Sequence, residues 1–318
     1  MCHRATYQHP GPCRQDPRGW IVSRHQSPSS GGIMRVTSCT DTFTLSNGTA
    51  IPCIGYGTFE TPANEARTAV REALETGYRH IDTAAVYGNQ EAVGAGIRDS
   101  GIPRDQLFVT SKLWNTERGY ENTLKACEQT LNELGVDYLD LYLIHWPANR
   151  KQFGDRAQEL NAETWRAFEE LYKSGRVKAI GLSNFLPHHI ASLIPSAAIT
   201  PMVDQLEVHP GWPQTTAVKY CQDHGIQVEA WGPFGHKDVL TNQTLVSIGG
   251  KYGKSSAQVC VRWALQHDVL PLPKSVHMSR MRSNIDVFDF ELTDEDMQVI
   301  DELRGIGGAC SDPDAVDF

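Results

Sequence analysis

No apolar run in the 318-residue sequence approaches the roughly 18 residues of a membrane-spanning helix, so no such helix is expected. No run of five like charges occurs, and the formal net charge is −9, which argues against a nucleic-acid-binding surface built from clustered Lys and Arg. The eight cysteines include no CxxC pair. In a chain with 40% hydrophobic residues, enough for a sizeable core, scattered cysteines read as reduced thiols of a cytoplasmic protein. The spacing of Cys2, His3, His9 and Cys13 fits no zinc pattern, and no metal is expected. A secretory signal would need an apolar segment of at least ~7 residues near the start, and none is found.

Residues 1–35 differ from the rest of the chain. They are rich in Pro, Ser and Gly and have little periodicity, which predicts a disordered tail or a start assigned too early, with Met34 as the true first residue. From residue 36 to 318 no boundary for a second domain is evident. Asn47-Gly48 between short β-type runs predicts a hairpin. Eight short apolar runs then alternate with helical patterns: Cys53–Tyr56, Arg79–Ile81, Leu107–Thr110, Tyr138–Ile144, Val177–Gly181, Met202–Gln205, Ile226–Ala230 and Val269–Leu272. Ala63–Thr76 should be a helix with Thr61 as N-cap and Pro62 at the first helical position, followed by helices over Glu121–Leu134, Ala162–Lys173 and Ser256–Gln266. Gly77, Gly135, Gly175 and Gly225 sit where helices should stop. Eight β units joined by helices imply a closed (β/α)8 TIM barrel, with the hairpin capping its bottom. Two extra helices are expected, Thr241–Tyr252 and Thr293–Arg304.

Such a barrel carries its function at the carboxyl ends of the strands. The residues there are Asp82, Lys112, His145, Ser183, Asn184, Gln205, Glu207, Trp231 and Lys274, with Tyr87 five residues beyond Asp82. So many polar groups at one mouth are hard to ascribe to stability alone. A free phenol titrates near ~10, too high for easy proton exchange at neutral pH. A neighbouring ammonium should lower that value, and Asp82 can hold Lys112 in place for the task. His145 can orient a substrate oxygen or pass on a proton. Taken singly, each of these residues could equally be structural; their coincidence at successive strand ends makes the case.

At these positions the sequence resembles the aldo-keto reductase family from about Val36 onward. The resemblance rests on Gly77-Tyr-Arg-His-Ile-Asp82-Thr-Ala-Ala-Val-Tyr87-Gly-Asn, Ser111-Lys112-Leu-Trp114-Asn, His145-Trp-Pro147, Gly181-Leu-Ser-Asn-Phe185 and Leu272-Pro-Lys274-Ser-Val276. Within the family, Trp231-Gly-Pro-Phe-Gly235 and the stretch from Asn284 to Thr293 look most like bacterial 2,5-diketo-D-gluconate reductases. The resemblance implies a catalytic tetrad of Asp82, Tyr87, Lys112 and His145. It implies NADPH as cofactor, with the nicotinamide held by Ser183, Asn184, Gln205 and Trp231. Gly232 stands beside that ring where many relatives have Ser. Lys274, Ser275, Val276 and Arg280 would hold the 2′-phosphate, and Asn284 the adenine. A barrel of this type needs no GxGxxG loop, and Gly55-Tyr-Gly-Thr-Phe indeed lacks the third glycine.

Departures from the family pattern are Gln90, His277 and Ser283, the last placing the adenine pocket in question. Phe59, Trp114 and Trp146 are expected to wall the substrate pocket, with Tyr56 a weaker candidate. The expected partner is a small carbonyl compound, possible classes being 2,5-diketo-D-gluconate, methylglyoxal, aldoses or β-keto esters. The chain should act as a monomer in the cytoplasm. A non-catalytic, redox-sensing cofactor-binding subunit is the rival from another class, and the complete tetrad argues against it. A steroid C=C reductase is a further rival; such relatives carry Glu at the His145 position.

Overall fold

The computed structural model describes residues 36–318 except 236, 309 and 310. The expected tail and the Cys2, His3, His9 and Cys13 group lie outside the described residues. Strands β1 (Thr42–Thr44) and β2 (Ala50–Pro52) form the antiparallel hairpin. Beyond the strands the Leu45 amide donates to the Thr49 carbonyl, which leaves a loop of three residues, Ser46 to Gly48, and Gly48 supplies the positive φ of +86°. Asn47 reaches from this turn to the Lys178 carbonyl at 3.0 Å. That carbonyl precedes a barrel strand, so the hairpin sits at the bottom, as expected.

The barrel strands are β3 (Tyr56–Gly57), β4 (His80–Asp82), β5 (Phe108–Leu113), β6 (Leu141–Ile144), β7 (Ile180–Ser183), β8 (Val203–Glu207), β9 (Gln227–Trp231) and β10 (Leu270–Pro271). Each pairs in parallel with the next in chain order. Backbone bonds from Gly55 N to Pro271 O (3.0 Å) and Gly57 N to Pro273 O (3.1 Å) join the two ends of the sheet. These close the ring, which removes the exposed edges of an open sheet.

Helices α1 (Ala63–Glu75), α2 (Gln90–Asp99), α3 (Tyr120–Leu134), α4 (Arg150–Phe153), α5 (Ala157–Lys173), α6 (Pro187–Leu193), α7 (Thr215–Asp223), α8 (Lys237–Thr241), α9 (Gln243–Tyr252), α10 (Ser256–Gln266), α11 (Met278–Ile285) and α12 (Asp294–Asp301) follow or link the strands. In α1 the buried residues Ala66, Ala69, Val70, Ala73 and Leu74 recur at the spacing of one helical face, and a fully buried Val or Leu contributes about 1.5–3 kcal/mol. Gly135 ends α3 in the left-handed conformation at φ +67°, and a side chain there would also meet the Arg98 guanidinium.

Several expectations are corrected. Pro62, not Thr61, is the N-cap of α1, and no side chain caps that helix. Thr61 instead hands its carbonyl to the Asn89 amide. The helix expected over Thr241–Tyr252 starts two residues later, at Gln243, because the Asn242 side chain accepts the Thr244 and Leu245 amides and caps it; the short helix α8 precedes it. The last expected helix begins as foreseen with Thr293 capping Asp296, but stops at Asp301 rather than Arg304. The strand expected over Val177–Gly181 starts three residues later, at Ile180, and runs on to Ser183; Val177 makes only an isolated bridge to Leu139.

Candidate active site

The strand ends deliver their polar residues to one mouth. Asp82 ends β4, Lys112 lies near the end of β5, His145 follows β6, Ser183 ends β7, Gln205 lies on β8 and Trp231 ends β9. Tyr87 is held in the loop above β4 by a short 3-10 turn over Ala85–Tyr87.

Lys112 is fully buried. Its ammonium donates to Asp82 Oδ1 at 2.7 Å, to the Thr83 carbonyl at 3.0 Å and to the Tyr87 hydroxyl at 3.2 Å, so all three protons are used. Burial alone would discharge such a lysine; Asp82 and Tyr87 offset that and leave its pKa above the ordinary value. Tyr87 behaves contrary to expectation. Burial raises its pKa and outweighs the lowering pull of Lys112, so the phenol stays protonated at neutral pH. His145 lies against it, with ring centroids 5.8 Å apart. Burial, helped by the charge of Lys112, drives His145 well below its ordinary value, which keeps the imidazole neutral. Its Nδ1 is buried without a hydrogen-bond partner among the described residues. A neutral imidazole and a protonated phenol beside a fixed ammonium can donate to, or protonate, one oxygen.

The four aromatic positions fall out differently. Phe59 is 56% exposed and packs beside Tyr87 at 5.1 Å, and Trp114 lies 5.3 Å from the His145 ring. Trp146 is buried and meets Phe318 edge-on at 5.4 Å, and Phe318 in turn stacks on Trp114 at 5.7 Å. Tyr56 takes no part in this wall; it is buried and its hydroxyl donates to the Ser275 carbonyl at 2.6 Å. Nothing local in the sequence marks Phe318, which arrives through contacts of its carbonyl with the Asn115 and Gln152 amides. Arg118 was also missed. Its buried guanidinium donates to the carbonyls of Asn115, Trp146 and Pro147 and so ties together the loops that carry Trp114 and Trp146.

Beside the tetrad, Asn184 adopts the left-handed conformation at φ +62°, unusual for a side-chain-bearing residue and most accessible to Asn and Asp. Its amide donates to the His145 carbonyl and to Ser183 Oγ, and its Oδ1 accepts the Trp231 indole N–H at 3.0 Å. Ser183 Oγ donates to the Gln205 backbone carbonyl at 2.8 Å. Gln205 gives one amide proton to Asp82 Oδ2 (2.8 Å) and the other to Glu229 Oε2 (2.7 Å). Gly232 has φ +58° and open space where a side chain would point.

Beyond β10 the picture changes. Ser275 is buried and its Oγ accepts the His277 amide at 3.0 Å, while Lys274 reaches the Glu60 carbonyl at 3.0 Å. Val276 is half-buried, Arg280 exposed and Asn284 buried on α11. Arg280 makes no ion pair among the described residues. Two cations and a hydroxyl with no carboxylate bonded to them suit a phosphate dianion.

His188, His189 and Asp314 form a separate cluster, with both imidazole Nε2 atoms about Asp314 Oδ1 at 3.1 and 3.0 Å. His189 Nδ1 accepts the Leu186 amide, which puts the ring proton on Nε2 and spends it on Asp314. That atom is therefore not free to ligate a metal. No helix among the described residues is long and apolar enough to cross a membrane.

The model of the aldo/keto reductase family matches residues 48–304. The glyoxal reductase of Bacillus subtilis is 48% identical over 283 residues, covering 89% of this chain and 99% of that protein. The 9,11-endoperoxide prostaglandin H2 reductase of Trypanosoma cruzi is 46% identical over 278 residues, covering 85% and 94%. Among solved structures, a mutant of Gox0644 in complex with NADPH superposes with a TM-score of 0.81 at 39% identity, covering 88% of this chain and 99% of that one.

Proposed function

Because the chain belongs to the aldo/keto reductase family, we propose that it reduces small aldehydes and ketones with NADPH, using Tyr87 as the proton donor. One observation carries this reading: a fully buried ammonium, Lys112, bonded at once to Asp82 and to the Tyr87 hydroxyl.

Ser183, Asn184, Gln205 and Trp231 are the residues that would hold the nicotinamide end, and Lys274, Ser275, Val276, Arg280 and Asn284 the phosphate and adenine end. NADPH bound there supplies the hydride to the carbonyl carbon. Tyr87 gives its proton to the carbonyl oxygen as negative charge gathers on it. Lys112 stabilises the phenolate left behind, and Asp82 keeps Lys112 in place. Neutral His145 orients the same oxygen. These groups act most strongly on the charge that develops in the transition state, which is where binding raises the rate. Phe59, Trp114, Trp146 and Phe318 enclose the approach with rings, which suits a compact carbonyl and limits water.

Small dicarbonyls such as methylglyoxal are the substrate class we favour, in line with the name of the glyoxal reductase relative. Keto-sugar acids such as 2,5-diketo-D-gluconate, suggested by the subgroup motifs, are the class to compare with them. Tyr87→Phe should abolish methylglyoxal-dependent NADPH oxidation while NADPH still binds in a fluorescence titration. Full turnover in that variant would sink the assignment. Single-turnover rates with methylglyoxal and with a keto-sugar acid rank the two classes.

A further inference from the structure

Inside the barrel, below the mouth, lies a second carboxyl that the reaction as described does not use. Glu229 sits mid-strand on β9 and is fully buried. Its Oε2 accepts one proton of the Gln205 amide at 2.7 Å, and its Oε1 has no hydrogen-bond partner among the described residues. The other proton of the same amide goes to Asp82 Oδ2 at 2.8 Å, and Asp82 Oδ1 takes Lys112. A continuous chain thus runs Glu229–Gln205–Asp82–Lys112–Tyr87. It crosses the lumen, because β8 and β4 are four strands apart in the ring.

We propose that Glu229 is a positioning residue: it fixes the Gln205 amide, and through it both the second oxygen of Asp82 and the face that Gln205 offers to the nicotinamide carboxamide. This rests on the NADPH-dependent reading above. The chemistry of the amide makes it specific. Asp82, which already accepts from the Lys112 ammonium, faces the Gln205 terminal atom as an acceptor and requires that atom to be the NH2 group; Glu229 then takes the second proton on Oε2. Both N–H bonds are then spent inside the protein. Only the Gln205 carbonyl oxygen is left for a ligand, so it can serve a carboxamide NH2 as acceptor and nothing as donor.

Charge balance explains why this carboxyl is tolerated. Asp82 and Glu229 flank a single ammonium, Lys112, in a dry interior. His80, also fully buried, adds no cation: burial, with Lys112 assisting, lowers it to about 3. Its Nε2 is bonded to Thr110 Oγ1 at 2.9 Å and stays 3.8 Å from Glu229 Oε1. Burial, with the charge of Asp82 adding to it, raises Glu229 to about 8. Glu229 is therefore a neutral acid at pH 7 and ionises on the alkaline side. Once ionised, it places a second negative charge across the Gln205 amide from Asp82 and pulls that amide towards itself. The groups facing Glu229 are His80 and Asp82 on β4, Lys112 on β5 and Gln205 on β8. Tyr87 stays above its ordinary phenol value and His145 well below its own, so neither supplies a step near pH 8.

The test uses two variants of the full chain and two ligands. Glu229→Leu leaves a buried Gln205 N–H without a partner. It should weaken NADPH binding by about tenfold, the size of one hydrogen bond, and lower kcat. The affinity for 2′,5′-adenosine diphosphate, which has no nicotinamide, should stay within about twofold by the same measure and reports that the variant is folded. Glu229→Gln has the same shape and cannot ionise, so a step near pH 8 in the kcat/KM profile of the parent should vanish from its profile. The assignment is overturned if Glu229→Leu binds NADPH as the parent does, or if Glu229→Gln keeps the step. Should the leucine variant not fold, the glutamine profile decides. A parent that binds neither ligand overturns the functional reading beneath, a result distinct from a parent that binds both and ignores position 229.

Discussion

The two ends of the proposed cofactor site are built on opposite plans. At and just below the barrel mouth Asp82, Lys112, Gln205 and Glu229 are buried and bonded to one another. Beyond β10, Arg280 is exposed and unpaired among the described residues, and Lys274 is held only by the Glu60 carbonyl. The first arrangement costs desolvation and gains fixed geometry, which a reaction step needs. The second keeps its cations hydrated and adaptable, which is enough to capture a phosphate. Substitutions in Asp82, Tyr87, Lys112 and His145 should therefore show in kcat, and those at the far end in cofactor affinity alone.

The largest effect is expected at Lys112. Lys112→Met removes the partner that steadies the Tyr87 phenolate, and kcat should fall by about 10²–10⁴-fold, the range spanned by general acid–base catalysis. The variant also strands Asp82 in a dry interior, at a cost of about 3–5 kcal/mol in stability. Adding Asp82→Asn removes the stranded charge. The double variant should regain much of the lost stability in a denaturant titration and none of the turnover. Recovery of turnover would show that Lys112 serves the fold and not the reaction.

Next in size is Arg280→Met. Losing one charge-assisted contact to a phosphate should raise the KM for NADPH about 10–100-fold, with kcat and the KM for NADH little changed. Salt sharpens the contrast. The screening length is about 8–10 Å at physiological ionic strength and shortens as salt is added, so salt weakens exposed charge contacts and hardly reaches buried ones. The parent's KM for NADPH should climb between low and high salt, kcat should not, and the climb should be shallower in the Arg280 variant. A drop in kcat alone would break the division between the two ends.

The same contrast governs what could be read from the sequence. A parallel barrel places the residue after each apolar run at the mouth, so Asp82, Lys112, His145, Ser183 and Trp231 were legible from strand ends alone. Lys274 was legible in the same way, whereas Arg280 was legible only through family resemblance, since an exposed Arg on a helix beyond the last strand has no periodic signature. Glu229 was within reach: a carboxylate in the middle of Gln-Val-Glu-Ala-Trp is costly in a buried strand unless partnered, and that cost is a signal. Phe318 and Arg118 were not within reach, because each depends on loops distant in sequence meeting at the mouth. The pKa of Tyr87 was misjudged for a related reason. The ammonium beside it could be foreseen from residue types, whereas the burial that outweighs the ammonium follows only from packing. Short helices such as α6 and α7 carry too few apolar positions to stand out from loops.

The smallest expected effect asks whether burial of a carboxyl always serves the site. Asp204 neighbours Gln205 on β8, but alternation along the strand turns it to the opposite side, where its Oδ2 lies 3.8 Å from Cys221 Sγ and its Oδ1 has no partner among the described residues. Burial raises it to about 8, against a weaker lowering by the Phe185 amide. The folded state therefore holds a proton that the unfolded chain releases near the ordinary carboxylate value. The resulting stabilisation is complete below that value and is lost as pH rises through about 8. Asp204→Asn cannot ionise, so its melting temperature should exceed the parent's at pH 9 by about 2–4 °C for each kcal/mol recovered, with a smaller difference at pH 6. Turnover should match the parent's at both pH values. If turnover shifts with the melting temperature, the far side of β8 is coupled to the mouth, and the line between buried groups that shape the reaction and buried groups that only burden the fold has to be redrawn to include Asp204.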